Sequence, residues 1–295
     1  MAKTIVITGG AGGMGKEIAK NVSREGNRVI IGDVNEAAMA AAKAEIAEAS
    51  GNDDIIALPL NLASLDSVRA FAAAVEGLGA IDALLCNAGV SSTVGTTSDG
   101  LDMVFQINYL GHFLLVGQLL KDKALADDAR IVLVSSDMHT GLFAPLEYRP
   151  AAGVAKPDEE FAQSPDRYNF SKLYLLYLDY YLARGLKAAG SSITINAFNP
   201  GLMHTTGLMP DKSQFNDEFL ATIKAMGRLG NLEENAKTVH LLLTDDVVAG
   251  QSGNYYDRST EPAKSSDLSY VEEYQQELWD FSLALTGLAA EDFSI

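Results

Sequence analysis

Tyr168 and Lys172 stand four apart in the run "YNFSK", so a helix would put both on one face. A lysine beside a phenol favours the phenolate and draws its pKa down from ~10 toward neutral pH. Such a phenol can take or give a proton as a general acid or base. The same spacing also suits a surface tyrosine lying on its helical neighbour. Ser135 and Ser136 close the apolar run "RIVLVSS" and offer hydroxyls where that run ends. Asn108 lies inside "VFQINYLGHFLL". Asparagine is a poor residue for a helix interior, so Asn108 is either a polar bridge in the core or a functional group. His112, one turn on, reads as structural.

A second set of residues points to an anionic ligand. In "TGGAGGMGKEIAK", starting at Thr8, five of the first eight residues are glycine. A backbone without Cβ atoms lets a bulky anion touch the chain at a helix N-terminus. The spacing Gly9-x3-Gly13-x-Gly15 departs from the G-x-G-x-x-G dinucleotide pattern, and a tight strand-to-helix turn would use the same residues. Asp33 ends the next apolar run, 18 residues after Gly15. A carboxylate there can accept hydrogen bonds from ribose hydroxyls; it can also cap a helix starting near Asn35. Residues 29–42 contain no Arg or Lys. A 2′-phosphate would therefore meet an unbalanced carboxylate, which favours NAD(H) over NADP(H). Asn87-Ala88-Gly89 and Asn199-Pro200-Gly201 are turn sequences at the ends of two further runs.

These groups need a scaffold that gathers strand ends. Short Ile/Val/Leu-rich runs at 4–8, 28–33, 54–61, 81–89, 130–136 and 192–201 alternate with longer helical patterns. Little polar alternation within the runs marks strands covered on both faces. The expected fold class is α/β: a single-domain, Rossmann-type, doubly wound parallel sheet over residues 1–295, with helices on both faces. Two stretches break the rhythm. Residues 137–166 form a long loop and 202–231 resemble a lid with a short helix. Long loops in compact domains are commonly functional. Both carry apolar side chains: Met138, Leu142, Phe143, Leu146, Tyr148 and Phe161 on the loop, and Leu202, Met203, Leu208, Met209 and Phe215 on the lid. Either they close over an apolar substrate or they pack beneath the loops. Asp158, Glu159 and Glu160 are expected to face water and disfavour anionic substrates. The tail at 266–295 has helical periodicity and carries the sole tryptophan, Trp279.

Bulk composition narrows the classes. Lys+Arg total 22 and Asp+Glu 39, a net charge of −17. That acidity argues against nucleic acid and anionic membranes. The single cysteine, Cys86, excludes an intrachain disulfide and fits a reducing compartment. No uninterrupted apolar run approaches the ~18 residues of a membrane span. A soluble cytoplasmic protein without an N-terminal anchor or a metal is expected. The helix after Tyr168, "LYLLYLDYYLARGL", is apolar around much of its circumference. One face must cover the sheet, and the remainder suggests a homodimer or homotetramer, with cover by the C-terminal tail of the same chain as the alternative.

Taken in order, T-G-x3-G-x-G, N-A-G, an Asn in the following helix, Ser before Tyr-x3-Lys, and P-G resemble the short-chain dehydrogenase/reductase family over roughly residues 3–255. "LNLASLDSVRAF", "INYLGHFLL" and the long gap before Tyr168 resemble its retinol-dehydrogenase and protochlorophyllide-reductase branch. The resemblance implies that Tyr168 is the acid/base and that Ser136 orients the substrate. It implies that Lys172 lowers the tyrosine pKa and bonds the nicotinamide ribose, and that Asn108 holds a relay water. Gly9, Gly13, Met14 and Gly15 would surround the pyrophosphate, with Asp33 at the ribose. Asn61 stands where the family usually has Asp for the adenine, followed by Leu62. Asn87, Ala88 and Gly89 would pass the ribose-nicotinamide side, and Pro200, Leu202 and Thr205 the carboxamide. The expected activity is NAD(H)-dependent hydride transfer to or from a secondary alcohol or ketone on an apolar substrate. The alternatives are reduction of an enone double bond and, more remotely, a non-enzymatic dinucleotide sensor.

Overall fold

The computed structural model describes residues 2–141, 144–208, 212–213 and 215–293. Its sheet has the strand order β3-β2-β1-β4-β5-β6-β7-β8. The strands are β1 (Thr4–Thr8), β2 (Arg28–Asp33), β3 (Ile55–Pro59), β4 (Ile81–Cys86), β5 (Leu125–Val134), β6 (Thr194–Asn199), β7 (Tyr255–Asp257) and β8 (Pro262–Ala263). All neighbours are parallel except β8, which returns antiparallel beside β7. The chain winds outward from β1 to β3, then restarts at β4 on the other side of β1. That reversal opens a crevice beyond the C-terminal ends of β1 and β4, where open α/β sheets bind ligands.

Alternation along the strands makes two cores. In β1, Val6 faces one side while Ile5 and Ile7 face the other. Helices α1 (Gly13–Ser23), α2 (Glu36–Ser50) and α9 (Leu232–Thr244) cover the Ile5/Ile7 face. The opposite face carries α3 (Leu65–Glu76), α5 (Gly111–Lys121), α7 (Asp166–Ala188) and α10 (Glu272–Thr286). A short α4 (Met103–Phe105) runs into α5 through a π turn, Gln106–Leu110. Taken as one helix, Met103–Lys121 is long and apolar enough to cross a membrane by length and composition. Its apolar window is 83% buried within the protein, however, so it serves as a core helix.

The loop at 137–166 is mostly a satellite core. It contains α6 (Ala151–Ala155), whose Ala151, Val154 and Ala155 are fully buried. Tyr148 stacks on Tyr274 with ring centroids 3.7 Å apart, and Leu146 packs against the main core. The Arg149 guanidinium lies 4.0 Å above the Phe161 ring. Leu142 and Phe143 lie outside the described residues. The lid at 202–231 carries α8 (Asp217–Ala225). Its two ends are tied by Leu202 N–H to Arg228 O at 2.8 Å and Gly230 N–H to Leu202 O at 3.0 Å. Met209 also lies outside the described residues.

The C-terminal segment lies across α7, over the side chains whose apolarity suggested a partner subunit. Trp279 stacks on Tyr181 at 4.4 Å and meets Phe113 edge-on at 5.3 Å. Tyr109 and Tyr180 share hydrogen bonds with Ser282 and Ser265 at 2.8 and 2.7 Å. The stripe that motivated a homo-oligomer is thus covered by the chain itself. Burying an indole at this seam contributes strongly to stability: Trp279→Ala should cost about 3–5 kcal/mol. Urea unfolding at equilibrium checks this. A midpoint unchanged from wild type would mean that the tail is not docked.

Candidate active site

The glycine turn exists because three chain segments meet there without room for side chains. Gly9 has φ +67°, and a Cβ on it would come within 2.9 Å of the Ala88 backbone. A Cβ on Gly15 would lie 2.4 Å from Gly9 O. Gly15 therefore lets α1 pack against the turn; it does not line the cleft above. Gly12 caps α1 with no side-chain hydrogen bond, and the first turn holds no acidic residue. The starts of α2, α3 and α9 are instead capped by Asn35, Ser64 and Asn231. A helix start without a side-chain cap and facing a cleft is suited to a phosphate group.

That cleft has a volume of about 430 Å³ and runs along the C-terminal edge of the sheet. Gly9, Gly13, Met14 and Asp33 line one end. Asn61 and Leu62 flank it from the end of β3, and Asn87, Ala88 and Gly89 from the end of β4. Pro200, Tyr168 and Lys172 close the other end. Asp33 is not the cap of α2; Asn35 is, accepting from Ala38 N–H at 3.0 Å. The Asp33 carboxylate accepts from Ala11 and Asn35 N–H groups at 3.3 and 3.2 Å and still borders the cleft. These features fit a dinucleotide.

Three expected cofactor contacts are displaced. Gly15 packs beneath the turn. Thr205 is exposed, and Thr206 lines the cleft in its place. Leu202 lines a second cleft, also about 430 Å³, on the other side of Tyr168. Ser136, Tyr168, Gly201, Met203 and Leu208 border both clefts. The two groups expected to handle the substrate oxygen therefore stand between a dinucleotide-shaped cleft and a largely apolar one. Of the loop's apolar residues named above that are described, Met138 lines the second cleft, whereas the lid supplies Leu202, Met203, Leu208 and Phe215.

Tyr168 and Lys172 sit at the start of α7, which is pinned by a buried ion pair. Arg167 Nη1 donates to Asp102 Oδ2 at 2.7 Å and to Thr93 O at 3.1 Å. Asp102 also caps α4. The Tyr168 hydroxyl bonds Ser136, yet burial raises its pKa to about 12, with Asp137 adding to the rise. Lys172 Nζ lies 5.6 Å from the tyrosine ring centroid and donates to Val134 O at 2.8 Å. Burial lowers its pKa to about 7. The expected lysine-driven depression of the tyrosine pKa is therefore absent from the protein alone. Desolvation outweighs the Ser136 hydrogen bond at the phenol and acts on the lysine as well: the phenol holds its proton and the amine readily gives its own up.

Asn108 lines neither cleft. It lies in the π turn, fully buried. Its Oδ1 accepts from Val90 N–H at 2.8 Å, and its Nδ2 donates to Val90 O and Ser171 Oγ, both at 2.9 Å. Both amide hydrogens are used, so the side chain acts as a polar bridge. Thr8 and His112 extend this bridge and were not picked out from the sequence as site residues. Thr8 Oγ1 accepts the N–H groups of Asn87 and Ala88 at 2.9 and 3.0 Å. His112 Nδ1 faces the Asn108 carbonyl, which can only accept, so in a neutral ring Nε2 accepts the Thr8 hydroxyl hydrogen at 2.9 Å, in preference to Leu85 O at 3.4 Å. The ring hydrogen is then on Nδ1, facing Asn108 O at 3.0 Å. Burial lowers the His112 pKa to about 4, consistent with this neutral form. The sequence signal was a threonine before the first glycine and a histidine one turn after an interior asparagine.

The family description "short chain dehydrogenase" matches residues 3–144. Human polyprenol dehydrogenase is 31% identical, across 97% of this chain and 86% of that protein. Human retinol dehydrogenase 13 is 32% identical, across 98% and 86%. The chain belongs to the short-chain dehydrogenase/reductase family. Among solved structures, an uncharacterized protein of Mycobacterium paratuberculosis superposes with a TM-score of 0.71 at 28% identity, covering 97% of this chain and 93% of its own. Pseudomonas aeruginosa RhlG, solved with NADP, gives 0.67 at 25% identity, covering 88% and 96%.

The lowered lysine pKa makes stability depend on pH. In the unfolded chain Lys172 holds its proton up to about pH 10.5; in the folded chain only to about 7. Between these values the unfolded state binds more protons, so the Lys172 term stabilises the fold increasingly as pH rises. The melting temperature of wild type minus that of Lys172→Met should therefore increase from pH 7 to pH 9.5. A difference that stays flat or falls contradicts a buried, easily deprotonated amine.

Proposed function

We propose that this protein is an NAD(H)-dependent carbonyl reductase and alcohol dehydrogenase that acts on a secondary alcohol or ketone of an apolar compound. The observation that carries the reading is the position of Tyr168 and Ser136, bordering both the dinucleotide-shaped cleft and the apolar cleft. NAD(H) held by the glycine turn, the α1 N-terminus, Asp33 and Lys172 would supply or accept the hydride. Ser136 orients the substrate oxygen and Tyr168 exchanges a proton with it. Because the phenol keeps its proton at neutral pH, the site is poised as a proton donor, which suits reduction. Lys172, held by Val134 O, sits beside the same ring and takes the ribose side. The Asn108 bridge fixes Ser171, the residue before Lys172, and is a positioning group. The relatives' names, polyprenol and retinol dehydrogenase, agree with an alcohol on an apolar body.

The preference for NAD(H) rests on Asp33. The one cation lining the first cleft among the described residues is Lys172, at the opposite end. A 2′-phosphate near an unbalanced carboxylate should lower catalytic efficiency by roughly tenfold or more. Measured at constant ionic strength, kcat/KM with NADH should exceed that with NADPH, and Asp33→Asn should narrow the gap. Equal or better use of NADPH by the wild type contradicts the assignment.

Tyr168→Phe removes the proton donor and leaves the cleft shape nearly intact. Turnover should fall by about 10²-fold or more, with the Kd for NADH changing little. Near-wild-type rates in that variant would remove Tyr168 from the acid/base role.

A further inference from the structure

Arg228 stands out in the cleft beside Tyr168. The walls there are largely apolar, with Met138, Leu202, Met203, Phe215 and Ile223 among them. Arg228 lines the same space, and its Nη1 is buried with no hydrogen-bond partner. Among the described residues it forms no ion pair. The other cations at this edge are engaged. Arg167 holds Asp102 and Thr93 O, and Lys172 holds Val134 O. Arg258 holds Asp137 and Asp257. The Asp137 carboxylate borders the same cleft and attracts Arg228 through space, but its hydrogen bonds go to Arg258 and the Asn199 amide, so it leaves Arg228 Nη1 without an acceptor.

The backbone at Arg228 is fixed. Its N–H donates to Ile223 O at 3.0 Å and its carbonyl accepts from Leu202 N–H at 2.8 Å. Gly201 has no room for a Cβ, which would approach Arg228 O to 2.8 Å. A guanidinium anchored in this way, bordering apolar walls and lacking an acceptor, is a donor set suited to an anionic oxygen. A planar carboxylate can accept two of its N–H groups at once.

We infer that Arg228 forms a carboxylate-recognising subsite within the substrate cleft, so that the preferred substrates are apolar compounds carrying a carboxylate. This rests on the proposed function only in treating that cleft as the substrate's. It reverses the expectation that Asp158, Glu159 and Glu160 keep anions away. None of the three lines the cleft, and Asp158 is paired with Arg149 at 2.9 Å.

Calorimetric titration of the full chain with decanoate and with decan-1-ol, at one ionic strength, tests the subsite without requiring turnover. Wild type should bind decanoate at least about tenfold more tightly than the alcohol, the scale of a hydrogen bond to a charged group. Arg228→Met should abolish that preference. Arg228→Gln, neutral but polar, should lose it too and serves should the methionine variant misfold. Tyr168→Phe should keep it. Equal affinities in wild type, or a preference that survives in both Arg228 variants, would overturn the subsite. Ketone reduction without any decanoate preference removes the subsite alone. A preference that depends on Arg228 in a protein that reduces no carbonyl removes the reaction alone.

Discussion

The Thr8 hydroxyl is the point on which the site depends. It ends β1 with no exposure to solvent, receives two backbone N–H groups from the turn after β4, and gives its hydrogen to His112. His112 passes the connection to the Asn108 carbonyl, and the Asn108 amide grips Val90 and Ser171. One continuous chain of hydrogen bonds thus ties the glycine turn to the helix bearing Tyr168 and Lys172. Each bond contributes only about 0.5–1.5 kcal/mol net. Breaking one strands buried partners, which is costlier than the bond itself. The π turn around Asn108 belongs to the same device, since π turns frequently occur at functional sites.

Burial sets the chemistry as well as the architecture. The phenol and the amine are placed together by one helix turn, yet desolvation pushes the two pKa values in the directions that discharge both groups. The protein alone presents a protonated tyrosine and a lysine close to neutrality at physiological pH. Proximity of opposite charge types does not by itself produce a phenolate; the surrounding dielectric decides. The positions of the two clefts on either side of Tyr168 then determine what a retained proton can do.

Much of this was legible in the sequence where local rules dominate. Ile/Val/Leu runs located six parallel strands, and the crowded glycines located the turn. Helical spacing singled out Tyr168 and Lys172 but left a surface pair open, and the ordered set of motifs around them favoured the chemical reading. The remainder depends on tertiary contacts with no local signature. β7 and β8 have three and two residues, too few to express a period. Thr206 replaces Thr205 because the segment after Asn199-Pro200-Gly201 is irregular, and spacing there does not fix which side chain faces inward. The apolar circumference of α7 pointed first to a second subunit; the aromatic seam around Trp279 appears only once the tail is docked. Asn108 could be read as bridge or functional group, and its three hydrogen bonds make it a bridge. That Arg228 Nη1 is left without an acceptor is invisible in sequence, because it depends on where Asp137 and Arg258 find each other.

The most direct test is the fate of deuterium from C4-deuterated NADH in a turnover with an apolar cyclic enone. Product analysis by mass spectrometry and NMR locates the label. The account predicts deuterium on the carbinol carbon of an allylic alcohol, with the double bond intact. Deuterium on the carbon β to a surviving carbonyl, in a saturated ketone, would contradict it.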